Sequence, residues 1–408
     1  MRKLVLSFFC LFIWTATFAQ TLIGSWHGDL ETAGRKLTLI FNVEEGENGL
    51  ECSMDSPDEG VNGIEASIVA TGLNVTIGIQ SLNIKYEGIN TGKMISGTFT
   101  QNGISLPLML KPGRPVYKRP QEPQLPLPYE CKEIVVNSGD IELHGTITLP
   151  ESKDMIIIMI TGSGPQNRNE EMFDHKPFLV ISDRLAKEGI STFRYDDRGV
   201  GDSTGDFGDV TIESNYEDAS NVVNYFKGLG YKKIGILGHS EGGLQAFLLA
   251  SKGEVDFIIS LAGPAMDGES ILLDQNITAL RQAGYTEEQL EALKSQLPGA
   301  IRQQSAGSPY LQSFIKYDPK GTIEATYCPV LALNGDKDVQ VRPSINLSVI
   351  KELLAGRGNL TAIEYEGLNH LFQHSTEGTA TEYNRIEETI AEQVLEDIVE
   401  WIKTNINK

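Results

Sequence analysis

The pentapeptide Gly238-His239-Ser240-Glu241-Gly242 lies between an apolar run at residues 234–237 and a helix-like run at residues 244–250. That order predicts a strand, a tight turn and a helix. The turn has the spacing G-x-S-x-G, in which the small glycines let the strand and helix backbones approach closely. A residue held in such a turn presents its side chain outside the sheet, near the positive end of the helix dipole. We therefore predict that Ser240 is an exposed nucleophile.

A serine nucleophile needs a base, and the base needs an acid that orients it. Both candidates follow strand-like runs further along the chain, at residues 329–334 and 361–365. Asp338 follows the first run, with Asp336 as the competing carboxylate, and His370 follows the second, with His374 as its competitor. The carboxyl ends of strands in an open α/β sheet are where ligands bind, so these side chains are expected to meet Ser240.

The order Ser, Asp, His resembles that of the α/β-hydrolase superfamily, over about two thirds of the chain from residue 131 onward. More narrowly, the chain is similar to two-domain bacterial carboxylesterases of the EstD type, and it also resembles the serine aminopeptidase and prolyl-oligopeptidase-like groups. The resemblance implies that Ser240 is the nucleophile, that His370 is the base, and that Asp338, at the D of G-x-x-D, is the acid. It also implies a doubly wound, mostly parallel sheet with a helical cap.

An acyl-transfer site also needs donors for the developing oxyanion. The resemblance implies that one donor is the backbone N–H of Glu241 and that the other comes from residues 161–165, after the apolar run at 155–160. This loop resembles the HGGG-type segment of the family, with Thr161 where histidine is usual. Ser163 and Gly164 are alternative donors, and we favour Ser163.

Two acidic features have competing interpretations. Glu170, Glu171 and Glu241 are carboxylates that could hold a substrate ammonium, as an aminopeptidase requires, or could be solvated surface charges. Residues 194–201 resemble the D-x-R-G-x-G segment of the family, and we interpret its Asp–Arg pairing as a structural brace beside the turn.

The first 19 residues have the features of a secretory signal peptide. Arg2 and Lys3 precede an apolar run from residue 4 to residue 14, and Thr17-Phe18-Ala19 forms a plausible cleavage site. No later stretch reaches the ~18 apolar residues of a membrane helix. We therefore expect an exported protein, periplasmic or secreted, without membrane insertion.

Charge and cysteine content exclude several classes of partner. Removing Arg2 and Lys3 from 34 basic residues leaves 32 against 55 acidic ones, a net charge of −23. Such a charge argues against nucleic acid and anionic membranes as partners. The remaining cysteines, Cys52, Cys131 and Cys328, are scattered and indicate neither a disulfide framework nor a zinc site. We expect no metal and no cofactor.

Two domains follow the predicted signal peptide. Residues 20–111 alternate apolar and polar side chains in about eight short strands, which predicts a small antiparallel β barrel or sandwich, with Asn48-Gly49 in a hairpin turn. Residues 112–128 contain six prolines and read as a linker. Residues 129–408 alternate strands with helical runs at 177–188, 213–228, 241–252, 343–355 and 387–405, and a cap is expected at about 264–327.

Together these patterns predict an exported serine hydrolase that cleaves small carboxylic esters through an acyl-enzyme. A serine peptidase is the main alternative. A glycan- or lipid-binding protein with a vestigial hydrolase domain is the alternative of another class. The acyl and alcohol groups, the role of the β domain and the oligomeric state, including a homo-oligomer, stay open.

Overall fold

The computed structural model describes residues 22–32, 35–47, 49–149 and 153–406. The predicted signal peptide therefore lies outside the described residues, as does Asn48. The described chain forms two compact units. The first contains the chain up to Lys118 together with Ala380–Arg385, and the second contains Arg119–Thr379 and Ile386–Lys408.

The first unit is a closed barrel of eight antiparallel strands in sequence order. The strands are β1 (Gly24–Thr32), β2 (Arg35–Gly46), β3 (Gly49–Ser56), β4 (Val61–Thr71), β5 (Asn74–Ile79), β6 (Ile84–Asn90), β7 (Ile95–Gln101) and β8 (Ile104–Pro112). Strand β1 pairs with β8, which closes the barrel and leaves no free sheet edge. Gly46 pairs with Gly49, so β2 and β3 are antiparallel neighbours, while Gly49 itself belongs to β3 and the predicted Asn48-Gly49 turn stays a prediction.

Side chains fill the barrel interior, as in other small barrels. Phe41 and Tyr86 stack in its core at a ring-centroid distance of 5.9 Å. The Tyr86 hydroxyl reaches the carbonyl oxygens of Ile95 and Leu108 at 3.1 and 3.2 Å, so its buried polar tip has partners. Leu73 lies outside this core: it precedes β5 and is 48% exposed.

The second unit contains an eight-stranded sheet in the order β16-β15-β14-β13-β11-β12-β10-β9. Its strands are β9 (Glu130–Ser138), β10 (Ile141–Leu149), β11 (Met155–Ile160), β12 (Ser191–Tyr195), β13 (Lys233–His239), β14 (Phe257–Leu261), β15 (Val330–Gly335) and β16 (Leu360–Tyr365). Strands β11 to β16 run parallel, and β9 and β10 form an antiparallel edge. The predicted doubly wound, mostly parallel sheet is confirmed.

Helices cover both faces of this sheet, and two separate apolar clusters form the layers between them. The helices are α1 (Pro177–Lys187), α2 (Ile212–Gly228), α3 (Glu241–Ser251), α4 (Gly268–Gln282), α5 (Glu287–Lys294), α6 (Leu297–Ser305), α7 (Pro309–Phe314), α8 (Lys320–Glu324), α9 (Leu347–Leu353) and α11 (Glu392–Asn405). A further short helix, α10 (Ala380–Tyr383), belongs to the barrel unit. Helices α4 to α8 occupy the interval in which the cap was expected.

Within the described residues, every helix is too short or too polar to cross a bilayer. Cys52, Cys131 and Cys328 are free thiols.

Candidate active site

Ser240 occupies the sharp connection between β13 and α3. Its backbone has φ 52° and ψ −119°, a region that costs a non-glycine residue about 1–3 kcal/mol. The Ser240 amide donates to the Leu261 carbonyl at 2.8 Å, and the Ser240 carbonyl accepts from the Gly243 amide at 2.9 Å. These bonds hold the strained residue in place, with its side chain half-buried.

The two glycines of the pentapeptide are required by backbone contacts. A Cβ atom on Gly238 would lie 2.0 Å from the Gly242 carbonyl oxygen, and one on Gly242 would lie 2.0 Å from the Ile160 carbonyl oxygen. Either contact is far inside van der Waals distance. The sequence pattern therefore reflects the close approach of α3 to the ends of β13 and β11.

His370 and Asp338 form a buried pair at the carboxyl ends of neighbouring strands β16 and β15. The His370 Nδ1 atom lies 2.8 Å from Asp338 Oδ2, and the two residues are 4% and 2% exposed. Asp338 Oδ1 accepts from the backbone amides of Gln340 and Val341, each at 2.8 Å, and Oδ2 also accepts from Asn334 at 3.1 Å. These donors hold the carboxylate in one orientation toward the imidazole.

The competing residues lie elsewhere. Asp336 is exposed, and its carboxylate accepts from the Gly367 amide at 2.7 Å, which makes it a turn residue. His374 is exposed and lies 2.8 Å from Glu388. The structure thus brings His370 to Asp338 rather than to Asp336, and it places His374 on the surface.

The loop after β11 lies directly against the serine. A Cβ atom on Gly162 would be 3.2 Å from Ser240 Cβ. The Gly162 amide already donates to Glu170 Oε1 at 2.7 Å, so this amide is not a free oxyanion donor. Ser163 is exposed in the same loop, and Glu241 is the first residue of α3, where a backbone amide has no partner within the helix. Ser163 and Glu241 thus lie in the two segments next to Ser240, and their role as oxyanion donors stays a prediction.

The chain is similar to several known hydrolases. The family model for serine aminopeptidase, S33, matches residues 177–296. Esterase EstD of Thermotoga maritima is 28% identical over 288 residues, which are 68% of each chain. The chain is an esterase-like hydrolase. Est1E from Butyrivibrio proteoclasticus, solved with ferulic acid, has the same fold, with a TM-score of 0.50 and 20% identity over 67% of this chain and 100% of that one. The Pyrococcus furiosus esterase Pf2001 matches with a TM-score of 0.49 and 17% identity, covering 72% and 98%.

The hydrolase places buried carboxyl groups around the serine. Glu241, 4% exposed, accepts from Tyr310 of the cap helix α7 and from the Asn215 side chain at 3.2 Å. Burial raises the pKa of Glu241, against the lowering effect of those hydrogen bonds and one from Gln245. Tyr310 lies in the interval predicted as the cap, and sequence analysis did not single it out as a site residue. Its contact joins two residues that are 69 positions apart, and no local sequence pattern indicates such a contact.

Asp197 anchors the loop after β11. Its carboxylate accepts from the Thr161 hydroxyl at 2.8 Å and from the Gln166 amide at 3.0 Å. Thr161, the departure from the family pattern, thus has a structural partner. Burial raises the pKa of Asp197 well above its ordinary value.

The brace interpreted from residues 194–201 is present, but its pairs reach outside that segment. Arg168 donates to Asp196 through Nη2 at 2.7 Å and through Nε at 3.1 Å. Arg198 donates to both carboxylate oxygens of Asp218 at 2.7 and 2.9 Å. In both pairs the guanidinium contacts both oxygens of one carboxylate, a bidentate geometry that adds strength and directional specificity to the ion pair.

Among the described residues, no cluster of three or more His, Cys, Asp or Glu side chains has the arrangement of a metal site.

Proposed function

We propose that this hydrolase cleaves small carboxylic esters, with Ser240 as nucleophile, His370 as general base and Asp338 as the acid that orients the base. The observation that carries this proposal is the buried His370–Asp338 pair, with its 2.8 Å contact, at the same sheet edge as the strained turn of Ser240. Four hydrogen-bond donors orient the Asp338 carboxylate toward His370, which argues against a vestigial hydrolase domain.

The reaction begins with attack of Ser240 Oγ on the ester carbonyl carbon. His370 Nε2 takes the serine proton, while its Nδ1–H stays donated to Asp338 Oδ2. The ionised Asp338 stabilises the resulting imidazolium and fixes the tautomer in which Nε2 is free to act. The backbone amides of Glu241 and Ser163 stabilise the oxygen that becomes negative.

Collapse of this intermediate releases the alcohol, which takes a proton from His370. Water then repeats the two steps on the acyl-enzyme, with His370 again as base, and releases the carboxylic acid. Each proton transfer uses the same imidazole, so the chemistry needs one correctly held histidine rather than two separate groups.

Ester specificity is favoured over aminopeptidase specificity by the state of the acidic residues. Glu170 is fully buried and accepts from the Gly162 amide, and Glu241 is engaged by Tyr310 and Asn215. A substrate ammonium would have to displace these partners. Glu171 is exposed and is the one candidate of the three that lies open to a substrate amine.

We further propose that the enzyme works in an export compartment. The basic, apolar and small-residue regions at residues 1–19 support this, and comparison of the mature N-terminus with residue 20 in secreted protein tests it.

A substrate panel tests the activity. The purified mature protein is assayed with p-nitrophenyl acetate and butyrate, and with alanine and proline p-nitroanilides. We expect turnover of the uncharged esters with the larger kcat/KM, no turnover by Ser240→Ala, and no change of KM in Glu171→Gln. Aminoacyl amides with the larger kcat/KM, together with a raised KM for amines alone in Glu171→Gln, would move the enzyme into the peptidase class.

A further inference from the structure

A second buried histidine–carboxylate pair lies directly beside the proposed catalytic one. His239, the residue before Ser240, is 4% exposed, and its Nδ1 lies 2.9 Å from Glu170 Oε1. Its Nε2 lies 3.0 Å from the backbone carbonyl oxygen of His370. The imidazole rings of His239 and His370 are 4.7 Å apart between centroids. Glu170 has a positive φ of 52°, a conformation that its contacts must hold against strain.

The partners of this pair determine where its protons lie. A carbonyl oxygen only accepts, so the contact with His370 requires a proton on His239 Nε2. The contact between His239 Nδ1 and Glu170 Oε1 requires a second proton, which one of these two atoms carries. The carboxylate form of Glu170 and the imidazolium form of His239 satisfy these two contacts and also the donation from the Gly162 amide to Oε1, whereas Glu170 Oε2 is buried without a hydrogen-bond partner among the described residues.

The charges around His239 agree with this state. Burial lowers the pKa of His239, but the Glu170 carboxylate, the hydrogen bonds to Glu170 and to the His370 carbonyl, and the charge of Asp338 raise it further, so that its pKa is raised overall. Glu170 faces the ring from the loop after β11, Asp338 from the loop after β15 and His370 from the loop after β16.

We propose that Glu170 and His239 are positioning residues that hold the loops of the nucleophile, the base and the oxyanion donors in one fixed arrangement. The proposal rests on the proposed function of Ser240, His370 and Asp338. Through its Nε2–H, His239 fixes the backbone of His370. Through Oε1, Glu170 fixes both His239 and Gly162, next to Ser163. Neither residue touches the substrate.

The variant Glu170→Gln separates charge from shape. Its amide oxygen can still accept from Gly162 and from His239 Nδ1–H. Without the carboxylate, the His239 pKa falls, and the neutral ring then presents an unprotonated Nε2 to the His370 carbonyl oxygen. Two lone pairs face each other, and His370 is displaced. A misplacement of about 1 Å costs on the order of 10²-fold in rate.

The experiment measures kcat and KM for p-nitrophenyl acetate between pH 6 and 10 in the full mature chain. We expect Glu170→Gln to lower kcat by roughly 10²-fold with KM unchanged. Loss of the His239 proton at high pH should lower kcat, and in Glu170→Gln this loss should occur at lower pH than in the wild type. The single variant His239→Gln and the double variant Glu170→Gln/His239→Gln are measured as well. Because the two residues act as a unit, kcat of the double variant should fall about as far as kcat of the worse single variant, rather than by the product of the two losses. Glu366→Gln and His374→Gln, both at exposed positions, are the matched controls and should retain the wild-type kcat and pH profile.

Two results would overturn the proposal. One is a Glu170→Gln enzyme with wild-type kcat and pH profile. The other is a loss of kcat that follows the unfolded fraction in thermal melts while the pH profile stays unchanged, which is the behaviour of a purely structural contact. Labelling of wild-type Ser240 by a fluorophosphonate is measured first. Its absence would refute the proposed function, whereas normal labelling with an unaffected Glu170→Gln would refute the positioning pair alone.

Discussion

At the scale of single residues, the orientation of Asp338 decides which nitrogen of His370 carries a proton. Both backbone donors face Oδ1, and His370 faces Oδ2. In Asp338→Asn the carbonyl oxygen of the new amide must stay with the backbone donors, which turns its NH₂ group toward His370 Nδ1. The imidazole then takes the other tautomer, with Nε2 protonated and unable to accept the serine proton.

We therefore predict that Asp338→Asn lowers kcat for p-nitrophenyl acetate by roughly 10⁴-fold with little change in melting temperature, as in other triads. Steady-state kinetics and circular dichroism melts check this. Asp336→Asn is the matched control and should keep wild-type kcat, since Asp336 contacts only a turn amide. A severe loss in Asp336→Asn with a mild one in Asp338→Asn would reverse the assignment.

Ionisation of Asp197 should make the stability of the fold depend on pH. Burial raises its pKa well above the ordinary value, the hydrogen bonds from Thr161 and Gln166 oppose this, and the charges of Glu241 and Glu170 add to it. A carboxyl group whose pKa is raised in the folded state stabilises the fold fully only below its unfolded pKa. That stability is lost as the pH rises through the folded pKa.

Asp197→Asn removes this loss and keeps both contacts, because the Thr161 hydroxyl can accept from the new amide. We expect its melting temperature to exceed that of the wild type by a margin that grows from about pH 4, the ordinary pKa of aspartate, toward pH 8. Melts at pH 4, 6 and 8 measure the margin, and Asp140→Asn, at an exposed position, is the control. A difference that is constant with pH would show that ionisation of Asp197 does not govern stability.

The predictable residues are those whose role follows from order along the chain. Ser240, Asp338 and His370 each follow a strand, so the sequence alone brings them to one sheet edge. Glu170 and Tyr310 contact residues 69 positions away through side chains, and neither lies in a motif that names its partner. The sequence places Glu170 after the loop at 161–165 and Tyr310 in the predicted cap, but it does not indicate which side chains they contact.

At the scale of elements, the turn between β13 and α3 depends on contacts with β11. A methyl group on Gly242 would collide with the backbone of Ile160, which cannot move without disturbing the central sheet. The helical runs were predictable from their apolar periodicity. The predicted starts at 177, 213 and 241 are observed within one residue, whereas the predicted helix at 343–355 is observed only at Leu347–Leu353 and the predicted helix at 387–405 begins at Glu392.

We predict that Gly242→Ala destabilises the protein by about 1–3 kcal/mol or more, the usual cost of overpacking, and lowers kcat as Ser240 shifts. Urea unfolding gives the first quantity and ester hydrolysis the second. Gly228→Ala is the control because a Cβ atom there meets nothing within 4 Å. Equal stability of the two variants would contradict the close contact of α3 with β11.

At the scale of the whole molecule, the units do not coincide with the sequence boundaries. Residues 119–128, predicted as linker, include Arg119, which donates to the carbonyls of Phe173, Asp174 and Ile386, each at 3.1 Å. Arg385, in turn, belongs to the barrel unit, where it pairs with buried Asp58 at 2.7 Å. That partner is 327 positions away, so composition and periodicity could not reveal it.

We predict that a chain beginning at Arg119 folds and hydrolyses p-nitrophenyl acetate, whereas one beginning at Pro128 is less stable by several kcal/mol, at about 1 kcal/mol for each hydrogen bond lost. Circular dichroism melts and ester kinetics compare the two with the mature protein. Equal melting temperatures would show that Arg119 adds nothing to the second unit. A well-folded but inactive chain from Arg119 would show that the barrel is needed for catalysis.

Labelling of the nucleophile tests the central claim most directly. The mature protein is treated with a fluorophosphonate, digested and mapped by mass spectrometry, while p-nitrophenyl acetate hydrolysis is followed in parallel. We predict one modified peptide, carrying the label on Ser240, and loss of activity in proportion to labelling. Ser240→Ala should be neither labelled nor active. A Ser240→Ala protein that still turns over the ester, or that is labelled at another serine, would contradict this account.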